Sequence, residues 1–136
     1  MKWLDNKGIP RIFLDSKYRI NWSKSAPSKG SQEVKDFLKK YLSHHAWYEE
    51  YRIPRTRLKV DFLSSSLMIA IEFHGKQHDE FVPFMHGSKL GYFNHMKRDF
   101  KKMELLEKNG IKLIEIRDED LPLTKSWFKT NYNLVV

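Results

Sequence analysis

Apolar residues recur at helical spacing in several parts of the chain, and each part predicts a helix. The first predicted helix spans residues 32–43, with Ser31 as its N-cap and Glu33 in its first turn. The second spans residues 91–109, where Gly110 is placed to end it in a left-handed conformation. Its apolar positions form one stripe: Met96, Phe100, Met103 and Leu106. A last short helix is predicted over residues 124–132.

Shorter segments show the alternation or the continuous apolar run that is typical of strands. They cover residues 47–53, 58–63, 67–73 and 111–116, and Pro54 closes the first of them. The order of one helix, three strands, a helix and a strand predicts an α/β (α+β) fold, with a central mixed sheet flanked by helices. Residues 1–30 contain two β-like pieces, at 11–14 and 18–22, and then a loose Ser- and Lys-containing segment. We interpret residues 1–30 as a basic N-terminal hairpin arm with a linker, and residues 31–136 as the main domain.

Two carboxylates interrupt the apolar runs that predict the second and third strands. The segment reads LKVDFLSSSLMIAIEFHGKQH; Asp61 lies in one run and Glu72 in the next, followed by His74 and His78. Burying an ionised carboxylate is costly unless a cation meets it. A divalent ion would meet both acids, because hard ions such as Mg²⁺ prefer carboxylate oxygens. The pattern favours a metal site, and the structural alternative is a pair of acids bridged to nearby basic residues.

The loop of this hairpin decides whether the two acids share a face of the sheet. A four-residue loop over residues 64–67 would place Asp61 opposite Ala70 and diagonal to Glu72, so that the two carboxylates could converge on one ion. Lys59 and His74 would share that face. A three-residue loop would put the acids on opposite faces. The other face would be apolar, and it would carry Val60, Phe62, Ile69, Ile71 and Phe73.

The net charge points to a polyanionic partner. The chain has 25 Lys and Arg against 17 Asp and Glu, a formal charge of +8, which favours nucleic acid over a neutral partner. No basic amphipathic helix of the membrane type is present. The residues that we predict to contact phosphate are Arg52, Arg55, Arg57, Lys59, Lys76, Lys97, Arg98, Lys101 and Lys102. For the last four, a solvated helix face is the simpler interpretation.

Several classes of protein are excluded by composition. With no cysteine, disulfides, thiolate catalysis and cysteine zinc sites are impossible. No apolar run approaches the roughly 18 residues of a membrane span, and the first residues do not resemble a secretory signal. We therefore expect a cytoplasmic protein without a membrane partner. Its 136 residues are enough for one domain with a single core.

Three segments, in this order, resemble the PD-(D/E)xK nuclease superfamily: VDF, IAIEFHGKQH and HMKRDFKKMELLEKNGIKLIEI. They are most similar to the branch that contains the very-short-patch mismatch repair endonuclease and the EDxHD homing endonucleases. The resemblance covers residues 31–117 and implies a restriction-endonuclease-like αβββαβ core. It implies metal binding by Asp61 and Glu72 and proton transfer or transition-state stabilisation by His78. The catalytic set that it implies is Glu33, Asp61, Glu72, His74, His78 and Asp99.

This sequence departs from the family pattern at two points. The superfamily lysine two residues after the second acid is His74 here, where the branch usually has Asp. The mismatch-repair members also have a cysteine-containing zinc site, which this chain cannot build. The resemblance therefore implies nuclease chemistry more firmly than it implies mismatch repair.

Together these observations predict a Mg²⁺-dependent DNA endonuclease of the homing, nicking or very-short-patch type, in which Mn²⁺ can substitute. The ion would polarise the phosphoryl group and lower the pKa of a bound water. One alternative is a resolvase of Holliday junctions, which would form a homodimer through the N-terminal arm. The other is a non-catalytic DNA-binding module on a decayed nuclease fold, which the missing motif lysine favours. RNA remains an alternative to DNA, because basic clusters contact the phosphates of both.

Overall fold

A computed structural model describes residues 1–4, 7–13, 15–75 and 89–136 of the chain; for residues 89–93 and 95 it describes the backbone. Within these ranges six strands and three helices follow one another along the sequence. In chain order they are β1 (Lys2–Leu4), β2 (Pro10–Ile12), α1 (Lys29–Tyr41), β3 (Trp47–Arg52), β4 (Lys59–Ser64), β5 (Ile69–His74), α2 (Lys89–Lys108), β6 (Lys112–Arg117) and α3 (Lys125–Tyr132).

The central sheet has the strand order β3-β4-β5-β6. The first two pairs are antiparallel, and β5 pairs with β6 in parallel across α2. A parallel pair needs such a crossover, because the chain must return to the same end of the sheet. The mixed sheet and the predicted order of elements are confirmed.

Each face of the sheet is covered by helices. On one face, Val34 and Phe37 of α1 and Phe128 of α3 pack against Phe62 and Ile71. On the other face, Leu106 of α2 packs against strand residues of a second cluster: Tyr51, Val60, Leu63 and Ala70. Hydrophobic burial on both faces explains why β5 reads as a nearly continuous apolar run.

Helix α1 begins three residues earlier than predicted. Ser28 is the N-cap: its Oγ accepts a hydrogen bond from the backbone N–H of Ser31, and Ser31 Oγ accepts one from the N–H of Ser28. Ser31 is thus the third residue of a capping box and not the cap itself. Glu33 consequently lies beyond the first turn, which contains no acid.

The start of α1 lies directly on the end of β5. A Cβ atom added to Gly30 would be 2.1 Å from Cζ of Phe73, closer than any real contact. Only glycine allows this approach, which brings the N-terminus of α1 to the strand end where Glu72 and His74 lie.

The register of the β4–β5 hairpin differs from the prediction. The loop has four residues, but it covers residues 65–68, so that Ser64 pairs with Ile69 and Leu63 with Ala70. Ser64 Oγ accepts a hydrogen bond from the N–H of Leu67, which caps the turn one residue later than expected. Met68 closes the loop with a φ of 54°.

The predicted alternation of faces also fails at one point. Phe62, Ile69 and Ile71 share the face covered by α1, as predicted. Val60 instead belongs to the opposite cluster. The break lies beside Glu50 of β3, whose φ of 48° is in the left-handed region and interrupts the regular pleat.

The N-terminal hairpin exists, but its strands are not the predicted segments. β1 pairs with β2, so that Trp3 lies opposite Arg11, whereas residues 16–18 form a turn of 3₁₀-helix. Arg19 makes an isolated bridge with Tyr48. Trp3 is buried in the cluster that contains Leu106. Burial of this large aromatic side chain fixes β1 as a strand of the hairpin.

The predicted apolar stripe of α2 is only partly buried. Leu106 is fully buried, but Met96, Phe100 and Met103 are 50%, 64% and 43% exposed. None of the described helices has the length and the hydropathy that a membrane span requires.

Candidate functional site

A cluster of charged side chains lies at the end of β5, between α2 and β6. Glu72 and His74 are two residues apart on β5, and therefore project from the same face. The parallel register pairs Glu72 with Glu115 of β6, which brings a second carboxylate to this face. Lys102 reaches the cluster from α2. Glu72, His74, Lys102 and Glu115 are called the charged cluster below.

Glu72 is the buried carboxylate of the charged cluster, at 6% exposure. Its Oε1 accepts a hydrogen bond from Lys102 Nζ at 2.6 Å. Burial raises the pKa of Glu72 above its usual value, and the charge of Asp61 acts in the same direction. Lys102 opposes this shift but does not cancel it. The site therefore disfavours the ionised form of Glu72 relative to water, and further positive charge would favour that form.

His74 lies between two carboxylates. Its Nε2 is 3.2 Å from Oε1 of Glu115 and 3.7 Å from Oε2 of Glu72. Burial lowers the pKa of His74, but the 3.2 Å contact with Glu115 and the negative charges of Glu72, Glu115 and Asp99 outweigh it. The net result is a pKa above the usual value of histidine, so this surrounding favours the imidazolium.

Glu115 is a member of the cluster that the sequence prediction missed. The close contact with His74 lowers the pKa of Glu115, which keeps it ionised beside the imidazole. The signal was present, since IEI in residues 114–116 repeats the acid-in-a-strand pattern of IEF in residues 71–73. It could be used only once the parallel register of β5 and β6 was known.

Asp61 lies at the point where β4 and β5 separate. The ladder ends at the pair Phe62–Ile71, and Asp61 and Glu72 are the next residues beyond that pair in the two strands. Asp61 Oδ2 accepts a hydrogen bond from the N–H of Phe73 at 2.8 Å. The half-buried carboxylate lines a pocket of about 280 Å³, together with residues of the N-terminus of α1 and with Glu50.

Asp61 and Glu72 act on one another electrostatically, but they have different neighbours. The pocket beside Asp61 is lined by Ser28, Ser31 and Gly75 and does not include Glu72. Glu72 faces Lys102 and His74 on the side of α2. Among residues 1–4, 7–13, 15–75 and 89–136, no three His, Asp or Glu side chains form a group that could hold a metal ion.

The remaining predicted catalytic residues fall in three places. Glu33 is exposed on α1. Asp99 is half-buried on α2 and close enough to raise the pKa values of His74 and Glu115. His78 lies outside the described residues, as does Lys76.

The predicted phosphate-binding residues form two groups. In and beside the β3–β4 loop, the side chains are exposed at Arg52, Arg55, Arg57 and Lys59. On α2, Lys97, Arg98 and Lys101 are exposed. Lys102 was wrongly grouped with this solvated face: its side chain is 13% exposed and pairs with Glu72. The separation follows from helix geometry, because Lys102 lies one turn from the buried Leu106.

Comparison with known proteins finds relatives in two invertebrate iridescent viruses and in a frog virus. The chain is 26% identical over 106 residues to a protein of Invertebrate iridescent virus 3 named uncharacterized protein 033L, which covers 78% of the chain and 45% of that protein. It is 34% identical over 59 residues to uncharacterized protein 307L of Invertebrate iridescent virus 6, which covers 43% of the chain and 30% of that protein.

A third relative is uncharacterized protein 094L of Frog virus 3, which is 42% identical over 60 residues, or 43% of the chain and 39% of that protein. The chain thus spans less than half the length of the relatives it matches. No family model matches the sequence, and no solved structure is similar to it. Because the relatives' names state no activity, the side chains of the site are the basis for a functional proposal.

Proposed function

We propose that the protein is a metal-dependent endonuclease that hydrolyses phosphodiester bonds in DNA. The observation that carries this proposal is the ion pair between Glu72 and Lys102, 2.6 Å long, at a strand end where Asp61 also contributes negative charge. Two acids and one lysine around a strand end are the groups that phosphodiester hydrolysis requires. The acids attract a hard cation, and the lysine offsets charge on the phosphoryl group.

The donor set fits Mg²⁺ better than it fits a metal that needs several protein ligands. Mg²⁺ commonly binds one or two carboxylates and takes its other ligands from water and phosphate. Asp61 and Glu72 would hold it, with Mn²⁺ as a substitute. When bound, the ion would polarise the phosphoryl group and lower the pKa of a water molecule.

The other residues of the charged cluster would act on the substrate. Lys102 would donate a hydrogen bond to a phosphate oxygen and thereby take the role of the motif lysine, which this chain lacks. His74, whose pKa is raised, would offer a proton or a positive charge to the leaving oxygen. Glu115 would orient the imidazole through the 3.2 Å contact.

DNA would be held by the basic side chains outside the cluster. Arg52, Arg55 and Arg57 are exposed on one loop, and Lys97 and Lys101 are exposed on α2. Phosphate contacts of this kind position the duplex without reading its sequence. The alternative within the same chemistry is a resolvase, in which a homodimer would bind branched DNA and hydrolyse its phosphodiester bonds.

The decisive experiment is cleavage of supercoiled plasmid in Mg²⁺ or Mn²⁺, with a chelator as the negative control. We expect Glu72→Gln and Asp61→Asn to lose cleavage. The exposed carboxylates Glu119 and Asp118 supply matched controls, so Glu119→Gln and Asp118→Asn should cleave at the wild-type rate. Cleavage that persists in Glu72→Gln and Asp61→Asn would overturn the assigned site.

A non-catalytic DNA-binding module is the second candidate, and the ion pair that Glu72 makes with Lys102 favours it. Lys102 Nζ already donates a hydrogen bond to Oε1 of Glu72, which is the arrangement expected of a site that has lost its metal. Binding of plasmid and of a four-way junction without cleavage, in both Mg²⁺ and Mn²⁺, would identify this candidate. Preferential cleavage of the junction would instead identify a resolvase.

A further inference from the structure

A second pocket lies between the N-terminal hairpin, the loop that joins β3 to β4, and the C-terminal end of α2. Its volume is about 270 Å³. Apolar walls come from all three elements, namely Trp3 and Phe13 of the N-terminal segment, Ile53 of the loop and Leu105 of the helix. None of the residues of the charged cluster lines it.

The aromatic wall is held in place before any ligand binds. Trp3 is 3% exposed, and its ring stacks on Tyr51 at 5.9 Å with an angle of 18° between the planes. Trp3 Nε1 donates a hydrogen bond to the hydroxyl of Tyr51, which in turn donates one to Asp15. A wall fixed in this way loses little conformational entropy when a ligand packs on it.

The uncharged polar groups beside the pocket already have partners in the protein. Asn109 Oδ1 accepts a hydrogen bond from the N–H of Leu4, and Asn109 Nδ2 donates one to the carbonyl of Leu105. Thr56 Oγ1 donates a hydrogen bond to the carbonyl of Ile53. The body of a ligand would therefore meet an apolar surface and not a set of hydrogen-bonding groups.

Positive charge surrounds this apolar surface. Lys7, Arg11 and Arg55 line the pocket, and their side chains are exposed. Among the described residues that line it there is no Asp or Glu. Arg55 has a φ of 63°, a left-handed conformation that a non-glycine residue adopts only at a cost. The Arg55 guanidinium, held beside the apolar surface by this strained backbone, suits a ligand with a flat apolar body and an anionic group.

We propose that this pocket binds an unpaired nucleotide of the nucleic acid, with the ring on the Trp3 side and the phosphate at Arg55. The proposal rests on the proposed function for its source of nucleotides. Arginine is suited to the phosphate, because its planar guanidinium makes paired hydrogen bonds to phosphate oxygens. Pockets for drug-sized ligands have volumes of about 300–1,000 Å³. The volume of this pocket, about 270 Å³, lies just below that range and fits a ligand of the size of one nucleotide.

The first test is a titration of the full chain with adenosine 5′-monophosphate, adenosine and inorganic phosphate, without metal. Binding is followed by NMR at the indole N–H of Trp3. We expect the mononucleotide to bind about tenfold more tightly than either fragment, because only it uses both the walls and the cations. Equal binding of phosphate and mononucleotide would overturn the proposal. Decanoate, an anion with an apolar chain and no ring, is titrated in the same way, and tighter binding of decanoate than of the mononucleotide would also overturn it.

Arg55→Gly is the informative variant, because glycine suits a φ of 63° and the fold should tolerate the change. We expect it to weaken binding of the mononucleotide by about tenfold. Arg57→Gln is the matched control, since Arg57 is exposed on the same loop and does not line the pocket. Equal losses in the two variants would show that net charge alone is responsible, and would overturn the assignment.

The source of the nucleotide is tested by competition. A duplex with an unpaired terminal nucleotide should displace the mononucleotide, and a blunt duplex should not. If neither duplex displaces the mononucleotide, the claim that the pocket binds a nucleotide of nucleic acid is overturned. The outcome is separable from the nuclease proposal. A protein that cleaves DNA but binds mononucleotide independently of Arg55 disproves the pocket, and one that binds it through Arg55 without cleaving disproves only the nuclease.

Discussion

Lys102 Nζ on α2 lies 2.6 Å from Oε1 of Glu72 on β5, and both side chains are largely buried. This pair joins the crossover helix to the middle of the sheet. Separation of the two charges from water is costly, so each side chain depends on the other. The pair has a direct consequence for stability.

Lys102→Met should destabilise the protein because it leaves the Glu72 carboxylate buried without its cation. Removal of one partner of a buried ion pair costs about 3–5 kcal/mol. The free energy of unfolding from urea denaturation at pH 7 measures the loss. The double variant Lys102→Met with Glu72→Gln should recover most of it, because no uncompensated charge remains. Lys101→Met, an exposed neighbour, is the control and should change little.

Much of the fold follows from local pattern, but the pairing of charges does not. Apolar spacing predicts α1, the strands and α2 because burial of one face depends on residues close in sequence. The contact between Lys102 and Glu72 joins residues 30 positions apart through a parallel crossover. The predicted apolar stripe of α2 included Phe100 and Met103, which are exposed, and so the sequence prediction placed Lys102 on the solvated face together with Lys101.

The hairpin illustrates a second limit. The loop length was predicted correctly, but the register was wrong because Ser64 Oγ caps the turn and Met68 adopts a positive φ. The hydroxyl cap and the left-handed methionine select one turn among several of similar energy. Hydrophobic spacing does not determine which of these turns forms. The consequence reaches the site, because Leu63, and not Asp61, lies opposite Ala70.

The stability should depend on pH through His74. Its folded-state pKa is above the unfolded value of about 6.5, so the imidazolium contributes stability that is fully present below pH 6.5. That contribution is lost as the pH rises through the folded-state pKa. The difference in unfolding free energy between the wild type and His74→Gln should therefore fall as the pH rises above about 6.5. A difference that rises with pH would contradict the raised pKa.

Glu115→Gln tests the origin of that shift. The 3.2 Å contact with Glu115 and the negative charge of this carboxylate both raise the pKa of His74. Their removal should lower the pKa of His74, as measured by NMR titration of the imidazole proton. Glu119→Gln, an exposed acid beyond the end of β6, should leave the titration unchanged.

Gly30→Ala should weaken the contact between α1 and β5. The added methyl group would lie 2.1 Å from the Phe73 ring, so the ring or the helix must move. Insertion of one extra carbon into a tight contact typically costs about 1–3 kcal/mol. Urea denaturation measures this loss, and Lys29→Ala, on the exposed side of the same turn, is the control. Phe73→Leu in the Gly30→Ala background should restore part of the stability, whereas no recovery would place the strain elsewhere.

Lys35 provides the last prediction, because it is the most buried cation among the described residues and the sequence prediction gave it no role. Its side chain is 1% exposed, 2.6 Å from Oε2 of Glu49, and it donates a hydrogen bond to the carbonyl of Lys24. It thus fixes α1, β3 and the segment before α1 to one another. Lys35→Met should cost about 3–5 kcal/mol in urea denaturation, because Glu49 and the carbonyl both lose their partner. Lys39→Met, at an exposed position one turn further along α1, is the control and should cost far less. Glu49→Gln added to Lys35→Met should restore stability if the unpaired charge of Glu49 is the cause of the loss.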